Sequence, residues 1–564
     1  MSTSKPFRVG LCLAGAVSAG AYTAGVMDYL FEALEEWERR KRDDPTRTPK
    51  HQVEIPVIGG ASAGGMTGII TAASLYGVLP PVRWKDGDFV LAQRPENKLY
   101  HSWVDLTHDD MFPELLGTGD IGGKQTRSLL NADFIDRIAE RAVQVDQPWR
   151  SRPYINDRLL VFTTLTNLEG LHFDITFNAD NESAKSYYIG IHNDYACFEL
   201  NITDAQYGGR GWMPLDFHSR TNTTLARDAA MATGAFPVGL RARSLERPER
   251  YVNDMPWLAE VTSLNPVVRH PYTTVNVDGG LINNEPFERV REVLNDLEKR
   301  EKGEAWSAAD FDDYDRTGST VLMIDPFPSA LEKFDPGDGL RNVAMNTLGA
   351  MMGQLRIKPA ALVDALHSDK AGQYVIAPGR KLPDTVAGGK EVMGAEAIAC
   401  GSLGGFGGFL HKEFRVHDYF LGRANCEKFL RDQFTIRLHE GGVIANPILK
   451  AGYEGIPLTD FLSRTDKEPG GVQIIPLFTK QAEHMPLPKF RSGHNWPMRT
   501  EADIDRFRSL LKDRADAIVS DQVNTNWWQG GLLWIGRKVL LNGKVADAVL
   551  NIIKKSLRKS NLLE

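Results

Sequence analysis

The chain has 564 residues, 42% of them hydrophobic and 25% charged, with a formal net charge of −7. That balance belongs to a globular protein larger than one ordinary core, and the acidic charge speaks against a general nucleic-acid binder, which needs a basic footprint. Four widely spaced cysteines (Cys12, Cys197, Cys400, Cys426) form no CxxC pair, so they suggest neither a disulfide framework nor a zinc site and point to a reducing compartment.

The opening residues lead at once into Phe7–Leu13, a run too short and interrupted for a signal-peptide core. No run of 18 uninterrupted apolar residues occurs, so no spanning helix is expected and the expected location is cytoplasmic. Residues 7–13 predict a buried strand, followed by the small-residue tract Ala14 to Gly20. Tyr22, Val26, Tyr29, Ala33 and Trp37 then recur at helical spacing, and the charged run Glu35 to Asp44 reads as a solvated helix end and loop. Val53–Ile58 is a second apolar strand, and Gly64 to Tyr76 is helical with few charges. Strand, helix, strand, helix predicts a mainly parallel sheet covered by helices. Leu159–Leu165, Thr274–Val277 and Val321–Ile324 fit the same sheet, while the alternation of Leu171–Phe177 predicts a half-exposed strand.

Beyond residue 330 the pattern changes. Helical periodicity covers 340–366 and 417–434, a glycine-rich tract lies between, and two more helical stretches end the chain. The expected organisation is an α/β core over 1–330 and a mainly helical extension over 331–564 packed on it.

Gly60-Ala61-Ser62-Ala63-Gly64 is a G-x-S-x-G set between an apolar strand and a buried helix. A nucleophile on such a turn needs small neighbours, because the backbone is strained and the hydroxyl must stand clear of the sheet. The adjoining helix N-terminus offers free N–H groups to an oxyanion. The plainer reading is a glycine-rich turn whose serine caps the helix; the strand before it and the helix after it favour the nucleophile. A base is also needed. None of the thirteen histidines sits in a recognisable loop after a strand, and the nearest candidates, His270 and His218, read as surface or hydrogen-bonded side chains. Asp278 is better placed, because Val275-Asn276-Val277 is strand-like and Asp278-Gly279-Gly280 follows at its C-terminal end, the edge where ligands gather in parallel sheets. Against this stands an ordinary Asp-Gly turn.

Taken together, these motifs resemble the patatin-like phospholipase family. The resemblance rests on the tract Ala14 to Gly20 with Ala21-Tyr22 and Gly25-Val26-Met27 after it, on the G-x-S-x-G, on Ala226 to Ala232 through Phe236-Pro237-Val238, and on Asp278-Gly279-Gly280-Leu281-Ile282-Asn283-Asn284-Glu285-Pro286. The motifs span residues 7–290, about half of the chain. Gly404 to Phe409, Asp418-Tyr419 and Gly422-Arg423 are similar to the tail of a bacterial branch with long C-terminal extensions.

The resemblance implies a three-layer α/β/α core and a lipid acyl hydrolase of the phospholipase A or esterase type. Ser62 would be the nucleophile and Asp278 its base, with an acyl-serine intermediate and no metal or cofactor. Burial beside the serine would raise the Asp278 pKa toward a useful value. Gly60 and Gly64 would shape the nucleophile turn, Gly279 and Gly280 the aspartate turn, and Gly15, Ala16, Val17 and Ala63 would supply oxyanion N–H groups.

One tract departs from the family pattern of three glycines, any residue, a basic residue and glycine. Here Gly15-Ala16-Val17 stands for the glycines and Ala19 for the basic residue. Alanine and valine resist positive φ, and losing one oxyanion donor raises a barrier by about 3 kcal/mol. Two other readings therefore stand beside the enzyme: a catalytically weak or silent lipid-binding protein, and a Ser-His-Asp α/β-hydrolase, which is disfavoured because only one strand precedes the serine's own. A phosphate-loop look-alike, Thr118 to Gln125, lacks the first glycine and the Ser or Thr that holds magnesium.

The segment 531–564 carries seven basic residues against two acidic ones, with Trp527, Trp528 and Trp534 nearby. It could make a peripheral contact with an anionic membrane; the simpler reading is a terminal amphipathic helix packed on its own domain. Oligomeric state and acyl or head-group preference have no signature in the sequence.

Overall fold

The computed structural model describes all residues except 1–4, 84–95, 122–125, 177–185, 202–210, 306, 329–338, 340–342, 344–370, 383–388, 465–469, 479–486, 491–494 and 526–543. The expected helix over 340–366 therefore falls, apart from Val343, outside the described residues, as do Trp527, Trp528, Trp534 and the start of the basic segment.

Alternation along the first strand, β1 (Phe7–Leu13), sets the layering. Successive side chains of a strand face opposite ways. Phe7, Val9, Leu11 and Leu13 join a buried cluster with Tyr22, Leu30 and Leu34 of α1 (Gly20–Asp43). Cys12 joins a second cluster with Val57, Val290 and Leu294. Helices thus cover both faces and β1 is buried throughout, which makes the three-layer α/β/α arrangement.

Among the described residues the sheet has nine strands: β1, β2 (Val53–Gly60), β3 (Ile155–Thr176), β4 (Ser186–Asn201), β5 (Met213–Pro214), β6 (Arg243–Arg247), β7 (Tyr272–Asp278), β8 (Ser319–Ile324) and β9 (Gln373–Ile376). The main path runs β5-β4-β3-β2-β1-β8-β9. Its centre is parallel, with β1 between β2 and β8, β2 beside β3, and β8 beside β9. By sequence, the outermost strand β9 lies beyond residue 331.

Two expectations need revision. Leu159–Leu165 and Leu171–Phe177 belong to one long strand, β3 (Phe177 itself is not described). The polar stretch between them is a bulge, seen as a register shift between Thr166 and Leu171 with Gly170 at φ 80°. Thr274–Val277 lies in the sheet as expected, but in β7, which is antiparallel to both β3 and β6.

That reversal matters for the site. Gly60, the last residue of β2, pairs with Thr163 of β3. β3 then overshoots the parallel edge, and β7 runs back along the overhang until Asp278 stands opposite Leu165. Its C-terminus therefore arrives level with the C-terminus of β2.

Past residue 400, among the described residues, the longest helix is α6 (Lys412–Asp432), which packs along α1; the numbering between takes in α2 (Ala63–Ser74), α3 (Asp133–Val143), α4 (Thr223–Thr233) and α5 (Phe287–Lys302). Gly25 and Gly422 permit the close crossing, since a Cβ on Gly25 would lie 1.9 Å from the Tyr419 carbonyl oxygen and one on Gly422 2.2 Å from that of Tyr22. Arg423 of α6 pairs there with Asp28 and Glu32 of α1, and the Asp28 carboxylate also accepts from Asn97. The expected terminal helices are α7 (Arg508–Thr525) and α8 (Lys544–Lys559). Among the described residues no helix is long and apolar enough to cross a membrane.

Candidate active site

Between β2 and α2 the chain turns within Ala61 and Ser62. Ser62 takes φ 51° and ψ −127°, a region that costs a non-glycine residue about 1–3 kcal/mol. The turn is possible because Gly60 and Gly64 let it close on itself and on β1. A Cβ on Gly64 would lie 2.1 Å from the Leu13 carbonyl oxygen, and one on Gly60 2.6 Å from the Gly64 carbonyl carbon. The Ser62 N–H donates to Thr233 Oγ1 at 2.9 Å, which ties the turn to the end of α4.

Asp278 approaches from the overhanging strand. Its N–H donates to the Ala235 carbonyl at 2.9 Å, and its own carbonyl accepts from Thr166 Oγ1 at 2.8 Å. The carboxylate divides its work. Oδ1 accepts from the Gly280 N–H at 2.7 Å, and Oδ2 accepts from Ser62 Oγ at 2.7 Å. Gly279 lies against Thr164, so close that a Cβ there would fall 2.1 Å from the Thr164 carbonyl oxygen. Ser62 and Asp278 are each 5% exposed, so the pair is largely shielded while Ser62 still lines a cavity.

Gly15 stands directly beside the serine, and a Cβ on it would lie 2.9 Å from Ser62 Cβ and 2.3 Å from Asn284 Oδ1. Its N–H is directed to the Asn284 carbonyl at 3.3 Å. Ala16 caps a single 3₁₀ turn that begins at Val17, and Val17 takes φ 49°, a conformation rare for a β-branched residue. Ala63 opens α2, where an N–H has no partner within the helix. Among the described residues, no acceptor takes the N–H groups of Ala16, Val17 or Ala63. These are the groups the site can offer to a developing oxyanion.

The cavity at Ser62 contains about 900 Å³ of empty space, including open solvent at its mouth. Met66, Ile69 and Ile70 of α2, Trp103, Leu106, Phe134 and Ile138, Leu240 and Phe409 make its wall apolar. Three arginines also line it. Arg241 pairs with Asp133 and Asp136, Arg243 pairs with Asp136, and Arg227 pairs with Asp228. Among the described residues, no histidine lines it. His270 is exposed and pairs with Glu249, and His218 is exposed. Chemically, the arrangement is a hydroxyl with one carboxylate acceptor, at the end of an apolar cleft.

Residues 11–291 match the family model described as patatin-like phospholipase. The chain belongs to that family. The match runs from within β1 to within α5, so it takes in the serine turn, the aspartate turn and the tract between β1 and α1. The chain is also 31% identical over 478 residues to the uncharacterised protein y4iI of Sinorhizobium fredii. That alignment covers 77% of this chain and 65% of the relative's length.

Three polar residues near the site carried no assigned role in the sequence reading. Thr233 holds the Ser62 N–H, Asn284 sits against Gly15 and Gly280, and Ser18 anchors the tract that ends at Gly20. Asn284 lies in the motif after Asp278 and could have been found there. Thr233 and Ser18 act through contacts far along the chain, which no local pattern carries.

Proposed function

We propose that this patatin-like protein hydrolyses lipid acyl esters through Ser62 and Asp278. The observation that carries the reading is the 2.7 Å hydrogen bond from Ser62 Oγ to Asp278 Oδ2, at the end of an apolar cleft with no histidine among the described residues of its lining. Ser62 Oγ attacks the ester carbonyl while its proton passes to Asp278 Oδ2. The Gly280 N–H on Oδ1 fixes the carboxylate for that transfer. The tetrahedral oxyanion is met by N–H groups of the Ala16–Val17 turn and of Ala63. Collapse expels the alcohol, which takes the proton from Asp278. Water activated by the same carboxylate then releases the acid.

A long acyl chain suits the cleft formed by Met66, Ile69, Ile70, Phe134 and Ile138. Labelling with a serine-reactive fluorophosphonate tests the nucleophile: wild type should label, and Ser62→Ala should not. Asp278→Asn should keep the fold and lose about 10³-fold or more in ester hydrolysis. Equal labelling of wild type and Ser62→Ala, or no labelling of either, would leave the silent lipid-binding reading.

A peripheral contact with an anionic lipid surface is proposed for the exposed side of α8. Leu550, Ile553 and Leu557 face inward, and Lys554 pairs with Glu501 and Asp505. Lys555 and Lys559 are exposed beside Ile552, which is 61% exposed.

A further inference from the structure

Val17 holds a left-handed backbone that valine resists, so something must impose it. Its neighbour Ser18 is 1% exposed, and its hydroxyl is fixed at both ends by the glycine-rich tract some 390 residues away. Ser18 Oγ donates to the Gly405 carbonyl and accepts from the Gly408 N–H at 3.0 Å. Gly405 itself lies against Val17, with its Cβ position 3.1 Å from Val17 Cβ. A Cβ on Gly408 would strike Ser18 Oγ and Cys400 Sγ, each at 2.6 Å.

That tract is in turn clamped by α6. Asp418 accepts the N–H groups of Ala399 and Cys400 at 2.7 and 2.9 Å. Three residues earlier on the same helix face, Arg415 Nη1 donates to the Gly408 carbonyl at 2.7 Å, and its other nitrogens donate to the carbonyls of Val104, His108 and Asp109. Arg415 is fully buried without a carboxylate in those contacts. Burial lowers its pKa to about 10, which leaves it charged at neutral pH. Leu403, Gly404 and Gly405 take three successive positive φ values, and Leu403 N–H is held by Ser556 of α8.

We infer that the C-terminal region completes the oxyanion site, with Ser18 as the positioning residue that transmits its clamp to Val17. The inference rests on the serine-hydrolase reading above. In this arrangement the ordinary glycine at position 17 is replaced by a valine forced into a glycine-like conformation. The force comes from hydrogen bonds to Gly405 and Gly408, which Arg415 and Asp418 hold in place. The C-terminal region then acts on catalysis through position alone, because the Val17 N–H keeps its place only while Ser18 is anchored.

The test is a double-mutant cycle between Ser18→Ala and Val17→Gly on the full-length chain, with p-nitrophenyl butyrate as substrate. Ser18→Ala alone should lower kcat about tenfold with KM changed less than twofold, since the lost interaction acts only on the transition state. It should also weaken inhibition by an alkyl trifluoromethyl ketone, which forms a tetrahedral adduct, by a similar factor. In the Val17→Gly background the same Ser18→Ala change should cost less than threefold, because glycine adopts the left-handed conformation unaided. Thermal midpoints report folding in each variant, and Ser18→Thr, which keeps the hydroxyl, should retain kcat within threefold if Ser18→Ala fails to fold. Equal losses in both backgrounds, or loss in KM alone, would overturn the inference while leaving the nucleophile reading intact. A wild-type protein that neither hydrolyses the ester nor labels with fluorophosphonate overturns both.

Discussion

Leu165 and Asp278 stand opposite one another in an antiparallel register, two residues beyond the point where Thr163 meets Gly60 in a parallel one. This relation brings two strands of opposite direction to a common end. Ser62 follows the parallel strand by two residues and Asp278 closes the antiparallel one, and their side chains meet across 216 residues of sequence. The long β3 is the ruler for both.

The Thr233 hydroxyl is expected to matter for the serine turn. Thr233→Val is nearly isosteric but leaves the buried Ser62 N–H without its acceptor. An unsatisfied buried donor costs about 1–3 kcal/mol, so urea denaturation should show a loss of that size. Ester hydrolysis should fall with it, because the strained φ of Ser62 loses one of its restraints.

The cleft should discriminate by acyl length. Ala139 lines it from α3 and is only partly buried, so Ala139→Phe should project into the cleft without disturbing the sheet. Each methylene excluded from an apolar pocket is worth about 1–3 kcal/mol. Hydrolysis of a hexadecanoyl ester should therefore drop at least about tenfold relative to a butanoyl ester. A parallel decline for both esters would place the acyl chain elsewhere.

His51 is buried between Trp37 and Tyr453, with Nε2–H donating to the Ile474 carbonyl at 2.8 Å and no partner for Nδ1 among the described residues. Desolvation lowers its pKa from 6.5 to about 4. Between those values the unfolded chain binds the extra proton and the folded chain does not, so this stability contribution is complete above pH 6.5 and lost as pH falls toward 4. Glu427 acts in the opposite sense: burial raises its pKa from 4.5 to about 7, so its contribution declines as pH rises through that window. The wild-type curve mixes the two. Comparing the pH dependence of the thermal midpoint in wild type and His51→Gln isolates the histidine, and the variant should lose less stability on going from pH 6.5 to 4.5.

If the exposed face of α8 docks on lipid, reversing its charge should weaken the contact. Lys555→Glu with Lys559→Glu should reduce sedimentation with phosphatidylglycerol vesicles and leave hydrolysis of a soluble butanoyl ester unchanged. Restoring binding by lowering the salt would be expected only for wild type. Unchanged sedimentation of the double variant would remove this face from consideration.

The residues by themselves determined the layers and the motifs. Apolar runs as short as Phe7–Leu13 and Val53–Ile58 read as buried strands, and the helical spacing from Tyr22 to Trp37 reads as a helix that covers them, because run length and periodicity are local properties. The same holds for Ser62 at a strand-to-helix turn and for Asp278 before two glycines. Tertiary structure decided what pattern cannot encode. Strand direction is one such matter: Thr274–Val277 has the same alternation whether it runs with β3 or against it, and the overhang of β3 settles which. The support of the oxyanion tract is another. The mismatch at Ala16, Val17 and Ala19 is visible in the sequence, but its counterpart lies at Gly405, Gly408 and Arg415. Only the packing of α6 against α1 brings those residues to Ser18.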